Sequence, residues 1–251
     1  MSVLALTFPH LPPALQQTHI ALFPNLDPRT ASALRARLIA AASAPATEEG
    51  NAERERLNFA FLDARLLTGA RHLKTGVHQA LLAAARSLQG GVQGGMKTKT
   101  VHSEVLFALH PGGNIGDSIR KFGISPTTTS LLVLRVLPAL PTSSPTASSA
   151  QERRTETLDK LLALFGEDAS PPLAADLAPS SDEDDEGLEK LDRALRQLTD
   201  WKEVESVYKL GRDAEVLFGG KDGEQQGEEE RRRTWAERVV TSMVAMKPVA
   251  A

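Results

Sequence analysis

The residues best suited to chemistry lie in one stretch, MKTKTVHSEVLFALHPGGNIGDSIRKFG, residues 96–123. His102 and Glu104 spell the H-x-E sequence in which zinc deaminases place a metal-binding histidine and a proton-transferring glutamate. That site also needs a downstream P-C-x-x-C, and the chain contains no cysteine. On an extended strand, His110 would lie roughly 26 Å from His102, too far to ligate the same metal. We therefore interpret the pair as polar residues on one strand face, and a small hydrolase or transferase using His102 and Glu104 is the alternative.

Two glycines before Asn114 suggest a second type of chemistry, the binding of an anion by backbone amides at a helix start. Neither the dinucleotide sequence G-x-G-x-x-G nor the P-loop sequence G-x-x-x-x-G-K-[ST] occurs in the chain. A tight turn at Gly112-Gly113, leading into a short helix capped by Asn114 and ended by Gly123, explains the same residues. Both interpretations stay open.

The stretch also carries four cations, Lys97, Lys99, Arg120 and Lys121. Contact with phosphate needs positive charge and little else, so a phosphate-binding face is one hypothesis and a solvated charged face is the other. Aromatic residues make up only 4% of the chain. This argues against a general RNA-binding module, because single-strand binders stack bases on aromatic rings.

The other candidate residues do not assemble into an active site. The chain has neither a G-x-S-x-G nucleophile elbow nor an H-E-x-x-H zinc sequence. His10, His19, His72 and His78 stand singly, and we predict that each lies at the surface. The residues alone therefore predict a non-catalytic protein without a metal or another cofactor.

Composition narrows the class of protein further. Residues 1–140 carry 14 basic and 8 acidic side chains, whereas the remainder carries 15 and 24. A basic first half is suited to an anionic partner such as RNA. The absence of cysteine fits a reducing compartment. No apolar run approaches the roughly 18 residues of a membrane span, and the apolar start of the chain is too short for a signal peptide, so we expect a soluble intracellular protein.

The elements that must position these residues alternate between strands and helices in the first half of the chain. Helical spacing is clearest from Gly69 to Leu88, where an apolar stripe recurs every three or four residues. A second helix, predicted over 28–42, starts at Asp27-Pro28, an acidic residue before a proline in the first turn. Apolar runs of strand length predict four strands, over residues 17–23, 57–62, 101–109 and 130–137.

The second half reads as helical, with helices predicted over 155–165, 188–198, 201–210 and 228–246. This order of elements predicts an α+β fold, in which a mainly antiparallel sheet is flanked by helices in a single domain spanning residues 1–251. Three low-complexity tracts, rich in small, polar or acidic residues, are predicted to be disordered insertions. These tracts are residues 43–56, 138–187 and 219–230.

Taken in order, the residues of the first stretch resemble the KEOPS (EKC) complex subunit family of PRPK-binding proteins (TPRKB). The resemblance is carried by MKTKT at 96–100, Ser103-Glu104, Pro111, NIGD at 114–117 and KFGIS at 121–125. Further matching residues are FP at 8–9, IALF at 20–23, NFAFLD at 58–63 and VYKL at 207–210. Gly112-Gly113 replace residues that are commonly polar in the family, which should alter the turn and not the fold.

The resemblance implies a non-enzymatic subunit that docks on the N-lobe of the small atypical kinase/ATPase of the complex and meets the other subunits indirectly. It also implies a role in recruiting tRNA, including its 3′ CCA end, for threonylcarbamoyladenosine modification next to the anticodon. The chemistry would belong to another, metal-containing subunit. Location in the nucleus and cytoplasm, with roles in telomere maintenance and transcription, is implied as well.

Two sets of site residues follow from joining this resemblance to the sequence pattern. Lys97, Lys99, Arg120 and Lys121 are our hypothesis for the tRNA-binding residues, because they cluster within the matched stretch. For the kinase, we consider one face of the last helix, formed by Trp235, Val239 and Met243. The alternative is that this face is buried against the protein's own core.

Overall fold

A four-stranded antiparallel sheet lies at the centre of the computed structural model, which describes residues 3–90, 95–139, 147–165, 184–218 and 225–250. The strand order is β1-β2-β4-β3. The strands are β1 (Leu4–Thr7), β2 (Gln17–Phe23), β3 (Ala60–Asp63) and β4 (Leu131–Leu137). The predicted α+β fold with a mainly antiparallel sheet is confirmed.

Ten α-helices accompany the sheet within the described ranges. They are α1 (Pro28–Ser43), α2 (Glu48–Arg56), α3 (Ala70–Leu88), α4 (Val101–Leu109), α5 (Ile115–Phe122), α6 (Ala147–Phe165), α7 (Asp184–Leu198), α8 (Trp201–Tyr208), α9 (Gly211–Phe218) and α10 (Gln225–Ala250). None of them, within those ranges, has the length and apolar character that crossing a membrane requires.

The two faces of the sheet support two separate clusters of apolar side chains, because successive residues of a strand point to opposite faces. On β2, Ile20 and Leu22 belong to a large core shared with α3, α4, α7, α8 and α10. Ala21 and Phe23 face the other way, into a smaller core shared with α1 and α6. Central strand β4 is buried on both faces over Leu131–Leu134, so it reads as a continuous apolar run.

Most of the predicted elements are confirmed. Helix α3 occupies nearly the predicted residues, and β2 occupies them fully. The prediction that α1 starts at Asp27-Pro28 holds, because Asp27 caps a helix that begins at Pro28 and its carboxylate accepts a hydrogen bond from Arg29 N. Strand β1 and helix α9, by contrast, were not predicted; both are short and lack a clear apolar period.

The predicted strand over residues 101–109 is wrong, since these residues form helix α4. The Thr100 hydroxyl caps the helix by accepting a hydrogen bond from Ser103 N at 3.1 Å. The deciding contact is with α3, where Gly76 lets Leu109 approach so closely that a Cβ at residue 76 would lie 2.5 Å from Leu109 Cδ2. Short apolar runs are compatible with either element, and packing selected the helix.

The prediction of a disordered tract over residues 43–56 is also wrong. Helix α2 fills most of it, capped by the Thr47 hydroxyl, which accepts from Gly50 N at 3.2 Å. Arg54 then holds the end of the preceding helix, donating to the carbonyls of Ala41 and Ala44 at 3.1 and 2.8 Å. Thr47 with two following glutamates was the local signal for a helix start.

The tracts at 138–187 and 219–230 are corrected in part. Helix α6 lies inside the first and packs on the smaller core through Leu161 and Phe165, while α7 begins at Asp184. Helix α10 begins at Gln225, inside the second. Residues 140–146, 166–183 and 219–224 lie outside the described ranges, so the prediction of disorder there stays a prediction.

Two of the histidines predicted at the surface are buried. His72 is fully buried and links three helices: its Nδ1 accepts from Thr68 N, its Nε2 lies 3.0 Å from the Tyr208 hydroxyl, and that hydroxyl donates to the Leu109 carbonyl. His19 is also buried and lies 2.9 Å from the Thr157 hydroxyl of α6. Burial lowers the pKa of His72 to about 3 and is the largest cause that lowers the pKa of His19 to about 4.

Candidate functional site

The segment Met96–Thr100 is held in place by a buried carboxylate on α4. Glu104 Oε2 accepts hydrogen bonds from the backbone amides of Lys97 and Thr98, at 3.0 and 2.8 Å, and from the Thr98 hydroxyl at 2.7 Å. Three hydrogen bonds offset the cost of removing this carboxylate from water. The glutamate of the H-x-E sequence therefore positions a loop.

The side chains of Lys97 and Lys99 are exposed. In the part of the chain that the structure describes, neither ammonium group forms an ion pair. Met96 fixes the start of the segment, since its amide donates to Ser87 Oγ at 2.9 Å and its side chain packs on the large core. The loop thus presents two cations on a backbone tied to both α3 and α4.

His102 is buried and takes part in the sheet. Its Nε2 accepts a hydrogen bond from Val136 N at 3.1 Å, at a point on β4 beyond the last residue paired with β3. Burial, followed by the charge of Arg135, lowers the pKa of His102 to about 4. The histidine therefore acts as a neutral acceptor for a strand edge.

The predicted shared face of His102 and Glu104 does not exist, because the residues lie on a helix and bind different backbone segments. Both side chains are nearly inaccessible, with 6% and 3% of their surface exposed. Within the described ranges, no group of three or more histidine, aspartate or glutamate side chains is arranged to hold a metal ion. The hydrolase alternative has no accessible catalytic pair at this position.

The turn before α5 is closed by local hydrogen bonds. Gly112 N donates to His110 Nδ1 at 3.1 Å, and the Asn114 side chain caps α5 by accepting from Asp117 N at 3.1 Å. The predicted cap is confirmed, and it occupies a donor that an anion would need. Gly123 ends α5 as predicted, for a steric reason, since a Cβ there would lie 2.4 Å from the Ile119 carbonyl oxygen.

The two cations of α5 are both paired with carboxylates. Arg120 forms an ion pair of 2.5 Å with Asp117, one turn earlier on the same helix. Lys121 forms an ion pair of 2.7 Å with Glu203 on α8. Of the four cations of the hypothesis, the two on the loop therefore lack a carboxylate partner in the described ranges, and the two on α5 are neutralised.

Helix α10 buries one stripe and leaves a second at the margin of the core. Ala236, Val240 and Val244 are buried, with at most 1% of their surface exposed. Trp235, Val239 and Met243 each lie one residue earlier, are half-buried and pack against the edge of the large core. The predicted kinase-binding residues thus form a half-exposed margin along the helix.

The end of α10 is attached to α4 by a lysine. Lys247 Nζ donates to the carbonyls of Phe107 and His110, the latter at 2.7 Å, and lies 3.6 Å from the centre of the Phe107 ring. A cation at the C-terminal end of a helix stabilises its unpaired carbonyl groups. Burial lowers the pKa of Lys247 to about 8.

A charged groove between α8 and the start of α10 was missed by sequence reasoning. Its volume is about 260 Å³, and it is lined by Trp201, Lys202, Glu205, Glu229, Arg232, Arg233 and Ala236. Arg232 makes a two-pronged ion pair with Glu205, at 2.8 and 2.7 Å, which raises the pKa of the guanidinium. The only signal in the sequence was the tryptophan itself, one of two in the chain.

A protein-family model matches most of the chain. The family model described as "Kinase binding protein CGI-121" matches residues 27–248, from the residue that caps α1 nearly to the end of α10. The chain belongs to the CGI-121 family. The family resemblance seen in the sequence is thereby confirmed.

Three similar proteins come from fungi. A protein of Coccidioides immitis, named EKC/KEOPS complex subunit CGI121, is 29% identical over 86% of this chain and 80% of its own length. One of Aspergillus fumigatus with the corresponding name is 38% identical over 51% of this chain and 56% of its own length, so that match spans little more than half of the relative. A third relative, from Cryptococcus neoformans, is 33% identical over 51% of this chain and 66% of its own length.

Proposed function

We propose that the protein is a non-catalytic accessory subunit of an EKC/KEOPS complex, which binds the small kinase of that complex and helps to recruit tRNA. The observation that carries the proposal is the family match over residues 27–248 to a model described as kinase-binding. Relatives named as EKC/KEOPS subunits support it. His102 and Glu104, the residues that suggested an enzyme, are buried in structural hydrogen bonds.

The kinase would bind at the margin of α10 formed by Trp235, Val239 and Met243. These side chains are half-buried at the edge of the core, so they retain accessible apolar surface next to a rigid helix. Interfaces of this kind gain affinity from a few large apolar or aromatic residues supported by a packed scaffold. Lys247 and the ion pair of Arg196 with Glu237, at 2.5 Å, hold the helix in place for docking.

Co-elution of the purified protein with the kinase subunit tests this part of the proposal. A Val239→Asp, Met243→Asp variant should lose co-elution, because two desolvated carboxylates would be placed in the interface. Ile39→Asp on α1, at an exposed apolar residue away from α10, is the matched control and should co-elute normally. If wild type binds the kinase and the Val239→Asp, Met243→Asp variant still co-elutes with it, the interface lies elsewhere on the protein.

The loop carrying Lys97 and Lys99 would contribute to tRNA binding. Its two exposed cations have no acidic partner in the described part of the chain, and Glu104 fixes the backbone that carries them. Fixed, unpaired cations attract phosphate by releasing the counterions condensed on the nucleic acid. Arg120 and Lys121 would contribute less, since each must first leave a carboxylate.

Binding of tRNA at several salt concentrations tests this second part. A Lys97→Glu, Lys99→Glu variant should bind more weakly and with a shallower dependence on salt. Arg29→Glu, Arg35→Glu on α1 makes the same change in charge at exposed positions outside the matched stretch. Equal losses in the two variants would mean that only net charge matters, and the loop would then have no specific role.

We propose that the protein is distributed between the nucleus and the cytoplasm, as the family resemblance implies. Microscopy of a fluorescently tagged chain tests it directly. Fluorescence confined to another compartment would contradict the proposal.

A further inference from the structure

Two histidines far from the candidate site meet at the surface. His10, in the turn after β1, and His78, on α3, bring their Nε2 atoms to 2.8 Å, with ring centres 5.0 Å apart. His10 is exposed and His78 is half-buried. Two neutral imidazoles at this distance share a single proton, so that one nitrogen donates and the other accepts. The fold thus directs two imidazole nitrogens, 68 residues apart in the sequence, to one solvent-accessible point.

The two rings differ in how firmly they are held. Phe8 is buried and its ring lies parallel to that of His78, with centres 5.7 Å apart and planes within 5°. His78 is therefore oriented by β1 as well as by its own helix. His10 follows Phe8 by two residues in an exposed turn, so its ring has room to tilt.

We propose that His10 and His78 form a two-imidazole site for a divalent transition-metal ion of the nickel or copper type, with water completing the coordination. Metal–nitrogen distances of ~2.0–2.1 Å place two ligands at a right angle ~2.9 Å apart, and two tetrahedral ligands ~3.3 Å apart. The observed 2.8 Å is close to the right-angle value, the arrangement that Cu(II) and Ni(II) favour with nitrogen and oxygen ligands. With ring centres 5.0 Å apart, the two nitrogens point at each other as in a hydrogen bond, so the exposed His10 ring must tilt before both lone pairs meet the ion.

Metal binding needs a simple rearrangement of protons. In the metal-free pair, the shared proton lies on Nε2 of one ring; when the ion binds, that ring carries its proton on Nδ1 and both Nε2 lone pairs face the metal. Lys74, one turn earlier on α3, repels the metal and keeps the affinity modest.

Calorimetric titration of the full chain with Ni²⁺, after removal of any polyhistidine tag, tests the site. Wild type should bind one equivalent. His10→Gln and His78→Gln should each weaken binding by more than about tenfold. Lys74→Gln should strengthen it about two- to threefold, because a nearby positive charge is removed.

The chain offers a matched control in His110, the remaining partly accessible histidine, whose Nδ1 already accepts from Gly112 N. His110→Gln should bind Ni²⁺ like wild type, whereas His19, His72 and His102 are buried and need not be changed. Circular dichroism checks that each variant is folded. Absence of saturable binding below about 1 mM in wild type, or binding by the His10→Gln and His78→Gln variants as tight as that of wild type, would overturn the proposal.

Discussion

The loop at 96–100 and helix α5 carry two cations each, and the structure treats the two pairs differently. On the loop, the nearby acid Glu104 binds the backbone amides of Lys97 and Thr98 and leaves the ammonium groups of Lys97 and Lys99 in solvent. On α5, Asp117 and Glu203 bind the charged groups of Arg120 and Lys121 themselves. Similar compositions thus give one region with available charge and one that is largely neutralised.

The comparison shows that a nearby carboxylate neutralises a cation only when it binds the charged group itself. How close the carboxylate lies in the sequence matters less. A buried carboxylate that satisfies backbone donors stabilises a loop conformation, because unpaired amides would be costly there. An exposed carboxylate opposite a cation adds little stability and screens the cation from other partners. Four experiments can break or sharpen this comparison, in order of expected effect.

The largest effect should come from removing the anchor of the loop. Glu104→Ala leaves two amides and a hydroxyl without their acceptor and should lower the free energy of unfolding by about 3 kcal/mol, measured by urea denaturation. Glu104→Gln keeps an acceptor oxygen and should lose roughly half as much. If Glu104→Ala unfolds like wild type, the carboxylate does not hold the loop.

The next largest effect should be a loss of stability in acid, through His102. Its pKa is lowered to about 4 in the folded protein, so the unfolded chain binds a proton first as the pH falls through 6.5. The stabilisation is fully present above pH 6.5 and is lost progressively towards pH 4. The loss at pH 5 is about 2 kcal/mol. The measurement is urea unfolding at pH 7 and pH 5.

His102→Gln is the control for this experiment, because its amide oxygen can accept from Val136 N without titrating. The variant should lose about 2 kcal/mol less than wild type between pH 7 and pH 5. His19 and His72 remain in both proteins, so their contributions cancel. Identical pH dependence of the two proteins would exclude His102 as a titrating group.

A smaller but more direct effect concerns tRNA. Lys97→Glu with Lys99→Glu should weaken tRNA binding about tenfold at moderate salt and reduce the slope of log K against log salt by about 1.8, the value for two phosphate contacts. Arg120→Glu with Lys121→Glu should cause a clearly smaller loss. A loss as large on α5 as on the loop would break the comparison.

The smallest effect should come from releasing a paired cation. Glu203→Gln frees Lys121 and should raise tRNA affinity by at most about twofold, since the pair is partly exposed and worth less than ~1 kcal/mol. The same substitution combined with Lys121→Gln should cancel the gain. An affinity below that of wild type would show that Glu203 supports binding in another way.

The family and much of the fold followed from local order in the sequence. The apolar stripe of α3 repeats over five turns, which only a helix accommodates, and Asn114 and Asp27 cap helices as their types predict. The cations at 97, 99, 120 and 121 were recognised together because they lie within one matched stretch. Their difference in availability could not be seen, since the partner of Lys121 lies 82 residues away.

The sequence by itself determined which residues must lie in the core and where the capped helices begin, because these preferences act within a few residues. Tertiary structure decided the identity of α4, whose nine residues fit a strand face as well as a helix until Leu109 packed on Gly76. It also decided the roles of His102 and Glu104, since hydrogen-bond partners for buried groups are supplied by whatever backbone the fold brings near. His102 and Glu104, whose residue types suggested catalysis, thus hold the structure together, and the unpaired cations Lys97 and Lys99 form the candidate site.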